Sequence, residues 1–248
     1  MSLPRFFIDP AALAGEQALL TGADAHHLSR VLRLKAGDMV ELCDGNGLIH
    51  TAQIIALGRE EVTLRLLSST RPATTGPVLH LGLGVLKGKK MDLALQKCTE
   101  LGASSIHPFL SEHSAVRPPE PDRLQRWQRI TVEACKQCKR PEPPICRPVS
   151  SFAELLTRPE TAASLKLIFW EKPAATPLRK TLANREPPVA QTAIFCLIGP
   201  EGGFSQTEIK QAVAAGFQPV GLGPRILRAE TAALVAIALL QYLHGGLG

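Results

Sequence analysis

The sequence predicts an α/β protein in which a small β-rich domain precedes a larger domain built on a mostly parallel sheet. After about residue 78, apolar strand-like runs alternate with helix-like runs, which is typical of a parallel sheet with helices on both faces. Before residue 70, short strand-like runs are separated by glycine-containing turns. The 248 residues, 45% hydrophobic and 20% charged, suit a globular chain of one large domain or two smaller ones.

The N-terminal segment has the pattern of a small barrel with one helix. Helical spacing of apolar residues predicts the helix over Asp24–Leu34. Turn signals at residues 37–38 and 44–47 separate the predicted strands. These strands are Arg5–Ile8, Met39–Cys43, Leu48–Ala56 and Val62–Leu67.

The stretch Ser68–Pro77 is rich in Ser, Thr, Pro and Gly and is predicted to be a linker. The charge balance changes at the same place. Residues 1–75 hold 7 basic and 8 acidic side chains, whereas residues 76–248 hold 21 and 14. We therefore predict two domains, residues 1–72 and residues 73–248.

In the second domain, strands and helices alternate. Ser205 and Glu208 form a capping box that predicts the start of one helix. The last helix is apolar nearly all round, so it must be covered by its own core or by a partner chain. The predicted strands are Val78–Leu86, Ser105–Leu110, Leu165–Trp170, Ile194–Ile198 and Pro219–Leu222, and the helices are Lys89–Leu101, Arg123–Lys139, Phe152–Thr157, Ser205–Gly216 and Glu230–Leu243.

Two loops containing glycine and proline give the strongest functional signal. The loops, Ile198–Ser205 and Leu222–Ala232, each follow a strand and precede a helix. They lie where ligands bind in open α/β sheets, and their glycines allow a close backbone approach. Free N–H groups at the helix start can hold an acceptor atom. We expect the loops to end adjacent strands and, with Glu201, Arg228 and Glu230, to form a binding site rather than bare turns.

Several common sites are missing from the sequence. It contains no P-loop, no dinucleotide fingerprint, no paired-histidine zinc motif and no nucleophile elbow. Cys135 and Cys138 form a C-x-x-C pair without a second pair at zinc spacing, so we predict no metal. There is no signal-peptide pattern and no apolar run of about 20 residues. We expect a soluble cytoplasmic protein without a membrane partner.

Basic residues occur in three clusters. One surrounds Arg30 and Arg33, one surrounds Lys87 and Lys90, and one extends from Arg117 to Arg140. The net charge is +6 and the isoelectric point is near 9.1. Any one cluster is compatible with a solvated face, but three together favour a surface that contacts phosphates.

These residues resemble the bacterial 16S rRNA uridine-N3 methyltransferase family, a branch of the knotted SPOUT methyltransferases. The resemblance spans nearly the whole chain. The motifs that carry it are Arg5–Phe7, His27–Arg33, Lys87–Asp92, Gln96–Gly102, Ile198–Ser205 and Leu222–Ala232. The chain departs from the family pattern at His113, where the family often has arginine, and at Ala229, where it often has threonine.

The resemblance implies a PUA-like barrel that holds RNA and a catalytic domain with a trefoil knot. It implies S-adenosylmethionine as cofactor, a homodimer, and N3 of a uridine in the RNA of the small ribosomal subunit as methyl acceptor. The implied cofactor contacts are Trp170, Glu171, Ile198, Gly199, Gly203, Leu222, Gly223, Ile226 and Leu227. The candidate RNA contacts are Arg5, Arg30, Arg33, Lys87 and Lys90.

Methylation of uracil N3 requires the loss of its proton and stabilisation of charge on the flanking carbonyl oxygens. We expect Arg228 to stabilise that charge, and Glu230, ahead of Glu201, to take the proton or orient the base. Two alternatives stay open. One is a related SPOUT enzyme acting on another RNA such as tRNA, and the other is a non-catalytic RNA-binding factor in ribosome assembly. A dinucleotide-dependent oxidoreductase is disfavoured by the missing fingerprint.

Overall fold

The structure, a computed structural model, describes residues 3–73, 76–115, 122–163, 165–172, 175–183 and 193–247. Arg117 of the third basic cluster lies outside these residues. The chain divides into two compact units. Unit 1 contains residues 1–73 and 135–143, and unit 2 contains residues 74–134 and 144–248. The short segment 135–143 was assigned to the second domain from the sequence and groups with unit 1.

Unit 1 is a curved six-stranded sheet with one helix. The strand order is β1-β4-β5-β6-β3-β2, and every pair is antiparallel except β1 with β4. One core that includes Phe6, Leu42, Ala52 and Leu64 fills the inside of the curve. The strands are β1 (Arg5–Phe7), β2 (Leu13–Ala14), β3 (Gln17–Thr21), β4 (Met39–Cys43), β5 (Ile49–Leu57) and β6 (Glu61–Thr70).

The helix of unit 1 differs from the prediction over Asp24–Leu34. Helix α1 spans Gly22–His26 and continues as a π-helical turn over His27–Val31. Arg33 then adopts a left-handed conformation with φ of 55°, which ends the helix. The predicted linker also begins too early, because β6 extends to Thr70.

Unit 2 contains an eight-stranded sheet in the order β10-β8-β7-β13-β11-β14-β12, with β9 paired to β8. All of these pairs are parallel. The strands are β7 (Val78–Gly84), β8 (Ser105–Leu110), β9 (Ile145–Cys146), β10 (Ser150–Ser151), β11 (Leu165–Phe169), β12 (Thr176–Pro177), β13 (Ala193–Ile198) and β14 (Gln218–Gly221). The helices are α2 (Lys89–Glu100), α3 (Asp122–Cys138), α4 (Phe152–Leu156), α5 (Leu178–Ala183), α6 (Gln206–Ala214) and α7 (Ala229–Leu243).

The parallel sheet of unit 2 has a helical layer on each face. One core packs β7 residues such as Leu81 against α2, α7 and Trp127 of α3. A second core packs Phe109 and Phe195 against α4 and α6. The predicted fold class, a mostly parallel α/β domain after a β-rich N-terminal domain, is confirmed. The sequence missed the short elements β2, β3, β9, β10, β12 and α5.

A polar network is buried at the amino-terminal ends of β7 and β8. Ser105 Oγ lies 2.7 Å from His80 Nδ1 and 2.7 Å from His107 Nε2. The His107 side chain is completely buried. This burial lowers the pKa of His107 to about 4, against an opposing effect of the Glu160 carboxylate. His107 is therefore neutral in the folded protein at neutral pH.

The buried His107 predicts acid-sensitive stability. The unfolded chain takes up a proton near pH 6.5 and the folded chain only near pH 4, so stability falls as pH falls between these values. The loss at pH 4 is about 3 kcal/mol. His107→Gln removes this titration, and its melting temperature measured by circular dichroism should depend less on pH. The exposed His26→Gln is the control, and equal pH profiles for wild type and His107→Gln would contradict the prediction.

Candidate active site

Loops that follow three parallel strands line one cavity of about 620 Å³ in unit 2. The loops follow β11, β13 and β14, whose carboxyl ends share one edge of the sheet because the strands are parallel. The two glycine loops of the sequence analysis therefore meet in one wall. All the expected cofactor contacts line this cavity: Trp170, Glu171, Ile198, Gly199, Gly203, Leu222, Gly223, Ile226 and Leu227.

The two glycine loops do not end adjacent strands, and that prediction was wrong. Strand β11 pairs with both β13 and β14 and lies between them. The order of strands along the chain did not reveal this arrangement, because β11 precedes both of the others in sequence. The consequence is that Trp170 and Glu171, which follow β11, stand between the two loops.

The loop after β13 is shaped by residues that have no side chain. Gly203 has φ of 69° and donates its N–H to Pro200 O at 2.9 Å. A Cβ on Gly199 would lie 3.2 Å from the Phe204 ring. A Cβ on Gly84, at the end of β7, would lie 2.6 Å from Pro200 Cδ. Glycine at these positions lets the backbones of neighbouring loops touch.

The carboxylate of Glu208 holds this loop against the loop that follows β8. Glu208 is buried and accepts hydrogen bonds from Ser205 N at 2.9 Å, Ser111 Oγ at 3.0 Å and Glu112 N at 3.0 Å. Glu208 N in turn donates to Ser205 Oγ at 3.2 Å. The capping box between Ser205 and Glu208 was predicted and is confirmed. The contacts to residues 111 and 112 carry no local sequence signal.

The loop after β14 presents both apolar and cationic groups. Ile226 lines the cavity, yet 80% of its surface is exposed, the highest value among the large hydrophobic residues described. Arg225 and Arg228 are exposed in the same wall. Gly223 has φ of 114°, and apart from its own chain neighbours no atom of the described residues lies within 4 Å of the place where its Cβ would stand. Arg225 was not predicted as a contact, although it belongs to the Leu222–Ala232 loop.

Glu201 is tied to the loop after β7. Its Oε1 accepts hydrogen bonds from Lys90 Nζ at 3.1 Å and from Lys87 N at 3.3 Å. Partial burial opposes ionisation of Glu201, but hydrogen bonds from its own backbone, from Lys90 and from Lys87 outweigh it and lower its pKa. Glu201 and Lys90 both line the cavity, so an expected catalytic group and an expected RNA contact form one ion pair there.

Glu230 does not belong to the cavity wall, although its neighbour Ala229 does. It lies in the first turn of α7 and is 9% exposed, and its Oε2 has no hydrogen-bond partner within the described ranges. Arg228 immediately precedes the helix and reaches the wall. Of the three expected catalytic groups, the cavity thus brings together Arg228 and Glu201.

Glu171 and Trp170 separate the two glycine loops. The Glu171 carboxylate lies 3.3 Å from the place where a Cβ on Gly203 would stand. Trp170 donates its backbone N–H to Val220 O at 2.9 Å, and its side chain is 8% exposed. Lys172 extends this wall and adds a cation that the sequence analysis missed.

The expected RNA contacts have different environments. Arg5 is almost buried, because its guanidinium binds Glu41 at 2.8 Å and also donates to Lys139 O. Arg30 and Arg33 are exposed in unit 1, and Lys87 is exposed in unit 2. Arg5 is therefore paired within unit 1 and Lys90 is paired with Glu201, whereas Arg30, Arg33 and Lys87 are available to solvent.

Cys135 and Cys138 lie in the last turn of α3 and are thiols that are not joined in a disulfide. No group of three or more His, Cys, Asp or Glu residues is arranged to hold a metal ion in the portion of the chain that is described. None of the helices found there is long and apolar enough to cross a bilayer.

Comparison with known proteins identifies the class of this fold and cavity. A model of the RNA methyltransferase domain matches residues 74–241, and a model of the RNA methyltransferase PUA domain matches residues 20–67. The ribosomal RNA small subunit methyltransferase E of Synechocystis is 37% identical over 96% of this chain and 77% of its own length. The protein is thus an RNA methyltransferase.

Solved structures agree with that class. The ribosomal RNA small subunit methyltransferase E of Neisseria gonorrhoeae, bound to S-adenosylmethionine, is 36% identical with a TM-score of 0.84 over 98% of each chain. A Legionella pneumophila methyltransferase, also with S-adenosylmethionine, is 29% identical with a TM-score of 0.83 over 98% of each chain. The chain belongs to the ribosomal RNA small subunit methyltransferase E family, and the predicted family and enzyme class are confirmed.

The geometry of Gly203 predicts the effect of a side chain on cofactor binding. Gly203→Val imposes a left-handed conformation on a β-branched residue and places its Cβ beside Glu171. We expect S-adenosylmethionine affinity to fall at least about tenfold, equivalent to about 1.4 kcal/mol, in isothermal titration calorimetry. Gly37→Val is the control, because Gly37 also has a positive φ, 97°, and is not among the residues that line the cavity. Unchanged affinity in Gly203→Val would contradict this assignment of the cavity.

Proposed function

We propose that this enzyme binds S-adenosylmethionine in the unit 2 cavity and transfers its methyl group to N3 of a uridine in small-subunit ribosomal RNA. The observation that carries the proposal is the convergence of both glycine loops and the Trp170–Glu171 segment on one cavity. Its volume of about 620 Å³ falls in the range of small-molecule sites, roughly 300–1,000 Å³. Family membership supports the reaction and the class of RNA.

The cavity wall fits an adenosyl sulfonium cofactor. Its loops offer backbone groups around Gly199 and Gly223 and apolar surface from Ile226. The wall combines two carboxylates, Glu171 and Glu201, with cationic side chains, which suits a ligand that carries charges of both signs. When bound, S-adenosylmethionine supplies an electrophilic methyl group that needs no metal for activation.

Arg228 is the group we assign to charge stabilisation on the uracil. Loss of the N3 proton places negative charge on the two flanking carbonyl oxygens, and a guanidinium donates to such oxygens in a fixed planar geometry. Arg228 is exposed in the cavity wall at the start of α7, and no ion pair holds it within the described part of the chain. Its charge is therefore free to act on a substrate.

The surroundings of Glu201 and Glu230, the two expected proton acceptors, favour a different structural role for each of them. Glu201 lines the cavity, but its lowered pKa makes it a weak base, and its bond to Lys90 favours a role in holding the β7 loop. Glu230 lies behind the wall, which favours orientation of the α7 start over direct contact. We propose that orientation by the site, worth up to roughly 7–11 kcal/mol in ideal cases, supplies more of the rate than a dedicated base.

We propose that residues 1–72 form a PUA-like domain that holds RNA and that residues 73–248 form a SPOUT domain with a trefoil knot. The exposed Arg30 and Arg33 are proposed RNA contacts of the first, and Lys87 of the second. Homodimerisation would cover the exposed apolar side of α7, where Leu239, Tyr242 and Leu243 are 38%, 67% and 45% exposed. We place the enzyme in the cytoplasm, where bacterial ribosomes are assembled.

Arg228→Ala separates cofactor binding from methyl transfer. We expect calorimetric S-adenosylmethionine affinity to stay near wild type and the rate at saturating substrate to fall roughly 10²–10³-fold, as when a donor to an oxyanion is removed. Nucleoside mass spectrometry of ribosomal RNA, before and after addition of protein and cofactor, measures the product. The control is Lys210→Ala, an exposed cation on α6.

Three results would count against the proposal. Unchanged turnover in Arg228→Ala would remove its role. Methylated nucleosides in tRNA but not in ribosomal RNA would favour the alternative substrate. Wild-type protein with neither cofactor heat nor RNA methylation would favour a non-catalytic assembly factor.

A further inference from the structure

Three arginines form a row along the exposed side of α3, which we call the arginine ridge. Arg123, Arg126 and Arg129 recur every third residue, so neighbouring members are about 4.5 Å apart along the helix axis. The opposite side of the helix is buried through Trp127 and Thr131, which are 3% and 1% exposed. This packing fixes which face α3 presents, and the ridge points to solvent as a consequence.

The ridge retains positive charge. Arg123 and Arg129 make no ion pair or hydrogen bond within the described residues, and α3 carries no acidic side chain between them. The exposed residues in the same stretch are Gln125 and Gln128, which are neutral hydrogen-bond donors and acceptors. Arg126 is paired with Asp92, although 59% of its side chain remains exposed.

The ridge lies beside the cavity through a short series of contacts. Arg126 donates to Asp92, which is in the first turn of α2. Lys90, two residues before Asp92, lines the cavity and pairs with Glu201. The ridge therefore runs alongside the helix whose first turn forms part of the wall. A polyanion bound on α3 would pass close to the cavity.

We propose that the arginine ridge binds the phosphate backbone of the RNA strand that leads to the target nucleotide. This inference rests on the proposed function, because it extends the substrate surface of the same site. Guanidinium groups bind phosphates through paired hydrogen bonds, and glutamine amides donate to phosphate and sugar oxygens. Such contacts position a strand and read no sequence. The ridge thus fixes where the RNA lies, and the cavity selects the nucleotide.

The test compares two double variants of equal charge. Arg123→Gln with Arg129→Gln removes the unpaired cations of the ridge and leaves the Arg126–Asp92 pair intact. Arg158→Gln with Lys210→Gln removes a half-buried cation next to α4 and an exposed cation on α6, two helices that pack on the other face of the sheet. Both are measured with wild type against a transcript of small-subunit ribosomal RNA, over a range of salt concentrations.

In a plot of log affinity against log salt, each phosphate contact contributes roughly 0.7–0.9 to the slope. The ridge variant loses two such contacts, so we expect its plot to be shallower by about 1.5. If affinities converge near 1 M salt, binding at 0.1 M is about thirtyfold weaker. KM for RNA rises accordingly, while kcat at saturating RNA, S-adenosylmethionine affinity and melting temperature stay at wild-type values. The control variant keeps the wild-type slope.

A wild-type salt slope in the ridge variant overturns the inference, and so does an equal loss in the control, which would reveal a general effect of net charge. Normal binding of the ridge variant to naked RNA with weaker binding to assembled small subunits also overturns it, because the surface would then contact ribosomal protein. RNA binding is measured without methyl transfer. Failure of the ridge is therefore distinguishable from failure of the proposed function, which would show as inactive wild type.

Discussion

The absence of a side chain at Gly84 is the constraint on which the active-site edge depends. A Cβ there would lie 2.6 Å from Pro200 Cδ and 2.9 Å from the carbonyl carbon of Gly199, so even alanine would separate β7 from the loop after β13. Neighbouring parallel strands are held at a fixed spacing by their hydrogen bonds, and the loops that leave them have little room. Only glycine allows Glu201 to approach Lys87 and Lys90 from across this gap.

A second contact of the same kind continues the edge toward β8. A Cβ on Gly202 would lie 2.7 Å from His113 O, and His113 Nδ1 lies 3.2 Å from Gly202 O. The buried Glu208 carboxylate ties the same two loops by hydrogen bonds. Buried carboxylates are costly unless their oxygens are satisfied, and here three donors satisfy them. The loop after β13 is thus fixed on two sides, which leaves its third side to form the cavity wall.

The sequence was informative where signals are local. Apolar runs located the five longer strands of the parallel sheet, β7, β8, β11, β13 and β14, to within a few residues, and the Ser205–Glu208 capping box located the start of α6. Strand β3 was missed because Leu19, 40% exposed, stands between the inward-facing Ala18 and Leu20 and hides the alternation. The order of the strands in the sheet could not be predicted from local sequence patterns either. Strand β11 lies between β13 and β14 because it pairs with two strands that are distant from it in the sequence.

The candidate site shows the same limit. Glycine content and spacing located the two loops, and motif resemblance supplied the contacts after β11. The pair between Glu201 and Lys90 joins residues 111 positions apart, and no periodicity reports such a contact. Arg5 was predicted to contact RNA because it is positively charged, and a charge in a sequence does not reveal its partner. In the structure Arg5 forms an ion pair with Glu41 on the neighbouring strand β4. Positions in a motif were predictable, whereas the partners of charged side chains were not.

Near the cavity, some buried polar atoms in the described part of the chain lack hydrogen bonds and one apolar side chain is exposed. These groups relate the stability of the protein to its binding of ligands. Glu230 Oε2 and Trp170 Nε1 are buried without hydrogen bonds within the described residues, and Ile226 is exposed. Each costs the isolated fold free energy, because a buried polar group loses its water and an exposed apolar group orders it. A ligand or second chain that covers Ile226 or supplies a partner to Trp170 Nε1 removes that cost only when it binds. The same residues therefore lower the folding stability of the free protein and increase the affinity of its complexes. Proteins commonly lose some stability in this way at functional sites.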